Sequence, residues 1–436
     1  MSEIEPLYSG VFTECPDEWD IIPFPDAVDF REGPGILAKD FRDSGVPLLR
    51  LRNIERPFVD LAGCNFLDPQ AVDSKWSHFR VLPGDLLVST SGTLGRVSVV
   101  TDEAAGSVPY TGIIRMRPAR ADVDAGFMRY FLTSPLFQLQ AEASAAGSVL
   151  RHFGPSHLRE MSFPVPPPDE QRTIAAALGA LDGKIEQNRR TSQVLDELAR
   201  ALFRAWFVDF DPVKAKAGGR SAFPSMPQSV FDTLSDTFVS SELGLVPEGW
   251  DVKPLADCVT LTMGQSPPSE FYNEIGDGLP FHQGVTDFGF RHPTHRVYCA
   301  VPGRLAETDD VLLSVRAPVG RINVADRSLV LGRGLAGLRH LHGRQSFLLH
   351  QLRHVFAEED AMGEGTIYKA VTKQFLSQLL LLAPPTELQV AYEQAVRPLD
   401  QAVSANELES RRIDAMRDFL LPNLMSGNVL VTAGND

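Results

Sequence analysis

The chain presents the same succession of landmarks twice, so any fold it adopts must hold two copies of one architecture. Pro16-Asp17-Glu18-Trp19-Asp20 returns as Pro247-Glu248-Gly249-Trp250-Asp251, 231 residues on. Gly84-Asp85-Leu86-Leu87-Val88-Ser89, followed by Gly95-Arg96-Val97, is matched at an offset of 225 by Asp309-Asp310-Val311-Leu312-Leu313-Ser314, followed by Gly320-Arg321-Ile322. Phe163-Pro164-Val165-Pro166-Pro167 matches Leu381-Leu382-Ala383-Pro384-Pro385 at an offset of 218, and Leu181-Asp182 matches Leu399-Asp400 at the same offset. The offsets shrink steadily, as small deletions in the second copy would produce. A repeat of more than 200 residues is too long for a solenoid unit. It reads as a duplicated pair of domains.

Each copy has a globular part and a helical part. The globular parts, 1–165 and 245–383, carry short β-prone runs separated by glycine and proline. Asp85–Thr90, Arg96–Val100, Gly112–Met116, Asp310–Val315 and Arg321–Val324 are expected strands, and Gly126–Ala143 and Gln345–Phe356 expected helices. The fold class is α+β: two similar mixed α/β domains joined by two long antiparallel coiled-coil helices, with a pseudo-two-fold internal repeat.

The helical parts span 166–210 and 384–428. Ile174, Leu178, Leu181, Ile185, Asn188, Ser192, Leu195, Ala199, Leu202 and Trp206 alternate at spacings of four and three, a heptad seam. Val396, Leu399, Val403, Asn406, Ser410, Ile413, Arg417, Leu420 and Leu424 continue the pattern in the second copy. Pro398 and Pro422 lead us to expect that helix to be kinked or shorter. Asn188 and Asn406, equivalent on the seam, either set its register through a polar contact or face solvent. A helix of 40 residues is about 60 Å long, and at ~3.4 Å per base pair it covers somewhat under twenty base pairs. Residues 211–244 read as a loosely ordered linker and 429–436 as a frayed tail.

The formal net charge of −15 looks hostile to nucleic acid, which demands cations that displace condensed counterions. The average hides local excesses. Between Arg291 and Arg353 ten arginines face four carboxylates, a balance of +6, and Lys75 to Arg120 carries +3. No stretch approaches the ~18 uninterrupted apolar residues of a membrane span, and the amino terminus has no secretory pattern. The four scattered cysteines make neither a zinc framework nor a disulfide scaffold. A cytoplasmic setting is expected. Phosphate-loop, HExxH and GxSxG patterns are missing, as is an adenine-methyltransferase [DNS]PP[YFW] turn. His292 and His295 are read as surface residues rather than a metal pair. The chain offers binding surface without visible catalytic apparatus.

Two sets of motifs then point to a family. Glu170-Gln171-Arg172-Thr173-Ile174, Leu181-Asp182-Gly183-Lys184-Ile185 and Asn188, with Leu202-Phe203-Arg204-Ala205-Trp206-Phe207-Val208-Asp209-Phe210, resemble the first conserved helical region of type I restriction-modification specificity subunits. Val246-Pro247-Glu248-Gly249-Trp250, Val315-Arg316-Ala317-Pro318-Val319-Gly320-Arg321 and Gly332-Arg333-Gly334-Leu335-Ala336 resemble that family's second target recognition domain. The second helix departs from the pattern, with Leu388-Gln389 where the first copy has Glu170-Gln171.

The resemblance implies a non-catalytic, sequence-specific subunit that binds double-stranded DNA. Each globular domain would read half of a bipartite target. The helices would set the spacer and dock two adenine-N6 methyltransferase subunits, joined in the full complex by two restriction subunits. S-adenosylmethionine, ATP and magnesium would belong to those partners, with no cofactor or metal in this chain. The partner-binding positions would be Leu181, Ile185, Leu195, Phe203, Trp206, Phe207, Leu399, Val403 and Ile413. Arginine suits bidentate contact with guanine and phosphate. The DNA-binding candidates are therefore Arg50, Arg52, Ser91, Thr93, Arg96 and Arg151 in the first domain, and Gln283, Arg316, Arg321, Arg333 and Lys369 in the second. For Arg96 and Arg321 the repeated Gly-Arg pair serves equally as a turn. Two other readings compete: an enzyme with a diverged active site, and a scaffold of a defence complex that reads no DNA.

Overall fold

The computed structural model describes residues 12, 15–90, 95–144, 154–301, 303–361 and 371–429. The chain divides into two compact units, Met1–Ile185 with Arg412–Asp436, and Glu186–Arg411. Each of the two long helices contributes a segment to each unit.

The first unit is built on a four-stranded antiparallel sheet in the order Val28–Glu32, Ile113–Pro118, Leu86–Ser89, Val97–Val99. A second sheet orders Phe41–Arg42, Asn65–Leu67, Val46–Leu49 and Val108–Pro109, the last pair parallel. Asp20–Pro23 pairs with Ser162–Val165. The middle strand Leu86–Ser89 is buried at all four positions, as a strand covered on both faces should be. Helices Ala125–Thr133 and Pro135–Ser144 pack against the sheet, where a single helix was expected. Pro135, with no N–H to offer, starts a new helix after the Ser134 cap. Phe24, Phe127, Phe131, Phe137 and Phe163 fill the core together with Ile174 and Leu178 of the first long helix and Leu424 and Met425 of the second. Each such side chain contributes roughly 1.5–3 kcal/mol relative to an exposed one.

The second unit repeats this plan. Its main sheet orders Val259–Met263, Leu335–His340, Val311–Ser314, Ile322–Val324, again antiparallel throughout. Leu279–His282 and Leu329–Leu331 form the parallel pair of the second sheet, and Asp251–Pro254 pairs with Leu380–Ala383. The strands expected from the sequence fall within one or two residues of these.

The stretch read as a loose linker is instead folded. It contains helices Asp211–Ala217 and Gln228–Thr233 and a hairpin of Phe238–Ser241 with Gly244–Pro247. Val213, Met226, Phe231 and Leu234 bury themselves beside Trp206, Phe207 and Trp250. Local composition was polar, but these four apolar residues supply enough burial to order the segment. Of the expected tail, 430–436 lies outside the described residues.

Both long helices, Pro168–Phe207 and Thr386–Met425, have 40 residues, so the second is not the shorter. Pro398 costs about 3 kcal/mol in a helix interior, and burial of Val396 and Val403 on either side opposes that cost. The helices run antiparallel within each unit. In the first, Asp182 meets Arg417; in the second, Asn188 meets Ser410 and the Tyr392 hydroxyl donates to the Ala199 carbonyl. Every heptad position named from the sequence is buried or half-buried. The two asparagines make polar contacts rather than facing solvent. The Asn188 amide donates to Glu409 Oε2 at 2.8 Å and to the Asn406 carbonyl at 3.4 Å, and the Asn406 amide donates to Ser192 Oγ at 3.3 Å.

Candidate nucleic-acid interface

The ends of the strands in each unit are stitched into one small platform. In the second unit the Val315 N–H donates to Gly334 O at 2.9 Å, Gly334 N–H to Gln283 O at 3.1 Å and Gly332 N–H to His282 O at 2.8 Å. Gly264 N–H reaches Leu335 O at 2.9 Å. The backbone here is too close for side chains: a Cβ on Gly332 would lie 2.6 Å from Gln283 Cα, and one on Gly264 would lie 2.1 Å from Gly332 O. Only glycine permits that approach. The stitching brings Gln283, Arg316 and Arg333 to one end of the unit, all exposed. Among the described residues no carboxylate lies within ion-pair distance of Arg316 or Arg333.

The first unit has the same stitches. Thr90 N–H donates to Gly112 O at 2.9 Å, Tyr110 N–H to Leu49 O at 2.9 Å and Gly33 N–H to Ile113 O at 2.9 Å. Arg50 stands at its edge, with its guanidinium 5.9 Å from the centroid of the Tyr110 ring and 3.4 Å from Asn65 Oδ1.

The remaining arginine candidates are placed differently. Arg52 turns back to donate to the carbonyl of Gly63 in its own loop. Arg96 and Arg321 follow Gly95 and Gly320, both at positive φ. In each copy the arginine N–H donates to a serine hydroxyl, Ser89 at 3.0 Å and Ser314 at 2.8 Å. The Gly-Arg pair therefore closes the same hairpin twice. The Arg96 side chain remains exposed, 3.7 Å from Glu55, an exposed pair of the kind worth little. The candidates Ser91, Thr93, Arg151 and Lys369 lie outside the described residues.

The arginine-dense window is less available than its charge suggested. Arg291 is buried between Asp196 and Asp400, Arg353 also holds Asp196, Arg339 forks onto Asp310, and Arg296 and Arg327 pair with Asp287 and Asp326. Arg291 and Arg353 are withdrawn from solvent and serve the fold, whereas Arg296 and Arg327 stay exposed in pairs of the kind worth little. Charge counting in one window missed acids such as Asp196 and Asp400, which arrive from the long helices. Burial opposes the charge on Asp400, yet the His350 ring and Arg291 beside it hold its carboxyl well below the usual range.

Behind Gln283 the strand end is braced by histidines. His282 Nε2 lies 3.0 Å from His295 Nδ1, and His295 Nε2 lies 2.8 Å from Asp326 Oδ1. Burial, and then the neighbouring His295, push His282 down to about 4. Arg411 of the second long helix donates to Asp326 and to the carbonyls of His292 and Pro293. The His292 ring bonds the Val324 carbonyl and Ser404. Both histidines read as surface residues are thus structural and withdrawn from solvent. Among the described residues no group of three metal-binding side chains is placed to hold an ion. Cys15, Cys64, Cys258 and Cys299 form no disulfide among the described residues, and no described helix is long and apolar enough to cross a membrane.

The helix positions named for partner contact separate into two groups. Phe203, Trp206, Phe207 and Val403 are buried, the three aromatics against Phe347 and Tyr392. They hold the second unit together, and their side chains offer nothing outward, which corrects the expectation of a docking face there. A heptad seam marks burial without saying whether the covering surface belongs to the same chain. Leu181, Ile185, Leu195, Leu399 and Ile413 are half-buried. The apolar side chains that do stand exposed on these helices include Val194, Leu198, Leu408, Met416 and Phe419.

Sequence reasoning did not single out Tyr110, Thr111 or Ser266. For the two first-unit residues the signal was present: Gly112 and Arg117 recur as Gly334 and Arg339, which aligns Tyr110-Thr111 with Gly332-Arg333.

The arrangement has a counterpart among solved structures. The fold matches that of a type I restriction-modification system S subunit from M. genitalium, with a TM-score of 0.57 at 15% identity over 95% of this chain and 97% of that one. Residues 71–197 match the family described as type I restriction modification DNA specificity domain. Among relatives in Methanocaldococcus jannaschii, one provisionally named type I restriction enzyme MjaX specificity subunit is 26% identical over 96% of this chain and 95% of its own. The type I restriction enzyme MjaIX specificity subunit is 22% identical over the same shares. Over nearly its whole length the chain is thus similar to type I restriction-modification specificity subunits.

Proposed function

We propose that this chain is the non-catalytic, DNA-reading subunit of a type I restriction-modification complex, each unit reading one half of a bipartite target. The observation that carries this reading is the recurrence of one glycine-stitched, exposed platform in both units, bearing Arg50 in one and Gln283, Arg316 and Arg333 in the other. The side chains differ while the backbone is kept, as expected of two frames that read different sequences. On this reading the long helices set the spacer and dock two adenine-N6 methyltransferase subunits, with two restriction subunits in the full assembly. S-adenosylmethionine, ATP and magnesium then belong to those partners.

Base-modification sequencing of host DNA, with and without the chain, tests the reading. Loss of N6-methyladenine at one bipartite motif on removal of the chain is the expected result. Methylation that persists unchanged would remove the chain from target choice. A second reading, a scaffold that does not itself touch DNA, draws support from the five window arginines engaged in internal ion pairs. Salt-sensitive DNA binding by the assembled complex separates the two, because phosphate contacts release counterions and a pure scaffold makes none.

A further inference from the structure

The two platforms can be superposed residue by residue through their hydrogen bonds, and the match agrees with a short recurrence in the sequence, Gly45-Val46-Pro47 ahead of Arg50 and Gly278-Leu279-Pro280 ahead of Gln283. The parallel strands pair Leu48 with Val108 and Leu49 with Pro109 in the first unit, and Phe281 with Val330 and His282 with Leu331 in the second. Arg50 and Gln283 are therefore the same position, one residue beyond the strand end. Thr111 and Arg333 are likewise the same position, at the tip of the turn that leads into the central strand.

Arginine and glutamine share one property at this position: each ends in a planar group able to make two parallel hydrogen bonds to one base. Glutamine carries no charge, so the position as such is not built for phosphate. Both groups are held before any ligand arrives. The Gln283 Oε1 accepts from the Ser266 hydroxyl at 2.7 Å, and that hydroxyl oxygen accepts from the Arg333 N–H at 3.2 Å. The amide NH2 is thereby directed away from Ser266, with one lone pair of Oε1 still unused. In the first unit Tyr110 occupies the place of Gly332, and its ring supports the Arg50 guanidinium. A fixed planar group loses less entropy on binding and discriminates better.

We propose that Arg50 and Gln283 occupy one shared base-reading position, at which the first unit selects guanine and the second selects adenine, with Tyr110 and Ser266 as their positioning residues. Arginine forks onto guanine O6 and N7, glutamine onto adenine N6 and N7. This rests on the DNA-reading role proposed above.

The test is selection from a randomised duplex library by the full-length chain, together with the subunits that co-purify with it, followed by sequencing of the bound pool. The wild type is expected to enrich a bipartite motif. Gln283→Arg should convert one adenine of one half-site to guanine with a preference of about tenfold, leaving the other half-site untouched. Arg50→Gln should make the reverse change in the other half-site. Ser266→Ala should weaken discrimination at the Gln283-read base alone, which a general structural defect would not do. A wild-type motif with both exchanges leaving it unaltered, or lowering binding equally for all sequences, overturns the shared position while the DNA-reading role stands. A wild type that enriches no motif overturns both. Gln283→Ala and Arg50→Ala guard against misfolding: on the proposal each retains binding and relaxes one base.

Discussion

The two units keep one backbone plan and differ in how they tie that plan to the long helices. One buried tie within the main sheets is duplicated, while Arg115–Asp29 of the first unit has only Gly337 at its repeat position. Asp85 and Arg117 form a forked pair in the first unit and Asp310 and Arg339 in the second, and each aspartate also caps a nearby backbone N–H, that of Leu82 or Glu307. Gln171 and Gln389 donate to the carbonyls of Pro166 and Pro384 in the same way. Against the helices the ties diverge. Asp182 accepts from Arg129 at 2.6 Å, Tyr130 at 2.9 Å and Arg417 at 3.1 Å. Its repeat counterpart Asp400 holds Arg291 at 2.6 Å, and that arginine also reaches Asp196. A buried carboxylate demands partners, but any well-placed donor will satisfy it. The acceptor has survived duplication while its donors have been replaced.

Removing those donors is the strongest way to break the comparison. Arg291→Ala leaves two buried carboxylates short of a partner and is expected to cost the second unit about 3–5 kcal/mol. Arg129→Ala leaves Asp182 with Tyr130 and Arg417 and should cost about 1–2 kcal/mol. Denaturant unfolding read by hydrogen exchange in each unit measures both, and equal losses would show that the two braces are equivalent after all.

Acid should separate the units next. His282 is held at about 4 and His340 likewise, both chiefly by burial, below the ordinary 6.5. Their folded values are depressed, so the unfolded chain binds more protons between these limits. The stability they confer is complete above pH 6.5 and is lost as pH falls to about 4, on the order of 3 kcal/mol for His282. Among the described residues the first unit has no buried histidine. Protection of its sheet should fall less over that window, and His282→Gln should flatten the difference.

The stitches themselves should behave alike. Gly33→Ala and Gly264→Ala would each push a Cβ to within 2.3 Å or 2.1 Å of a backbone oxygen. Each should cost about 1–3 kcal/mol in its own unit, and strongly unequal melting would undo the residue-by-residue match. Arg316→Ala sharpens the functional half of the comparison. It should weaken DNA binding by about 1–3 kcal/mol and relax only one half-site if the side chain reads a base. Uniform loss across sequences would make Arg316 a phosphate contact. The smallest effect is Asn188→Ala, about 1 kcal/mol for its lost hydrogen bonds, seen as a shift in the unfolding midpoint.

Much of this was legible beforehand. The repeat, the strands at Asp85–Thr90 and Asp310–Val315, and the ten heptad positions of the first long helix follow from local periodicity, which the backbone obeys wherever one face is covered. The candidate platform was half legible. Gln283, Arg316 and Arg333 were singled out and converge, whereas Arg52 folds back onto its own loop. Tyr110 and Ser266 were passed over because their importance lies in what they support. Gly-Arg at 95–96 and 320–321 was open between turn and contact, and the serine hydroxyls on the arginine N–H groups show the turn.

The sequence by itself determined the duplication, the positions of the long helices and most of the central strands, because each depends on a pattern written over neighbouring residues. Only the tertiary structure decided that Arg291 is buried and that residues 211–244 belong to a core. Those facts depend on which distant acids and aromatics arrive beside a residue when the chain closes, and distance along the chain carries no trace of it.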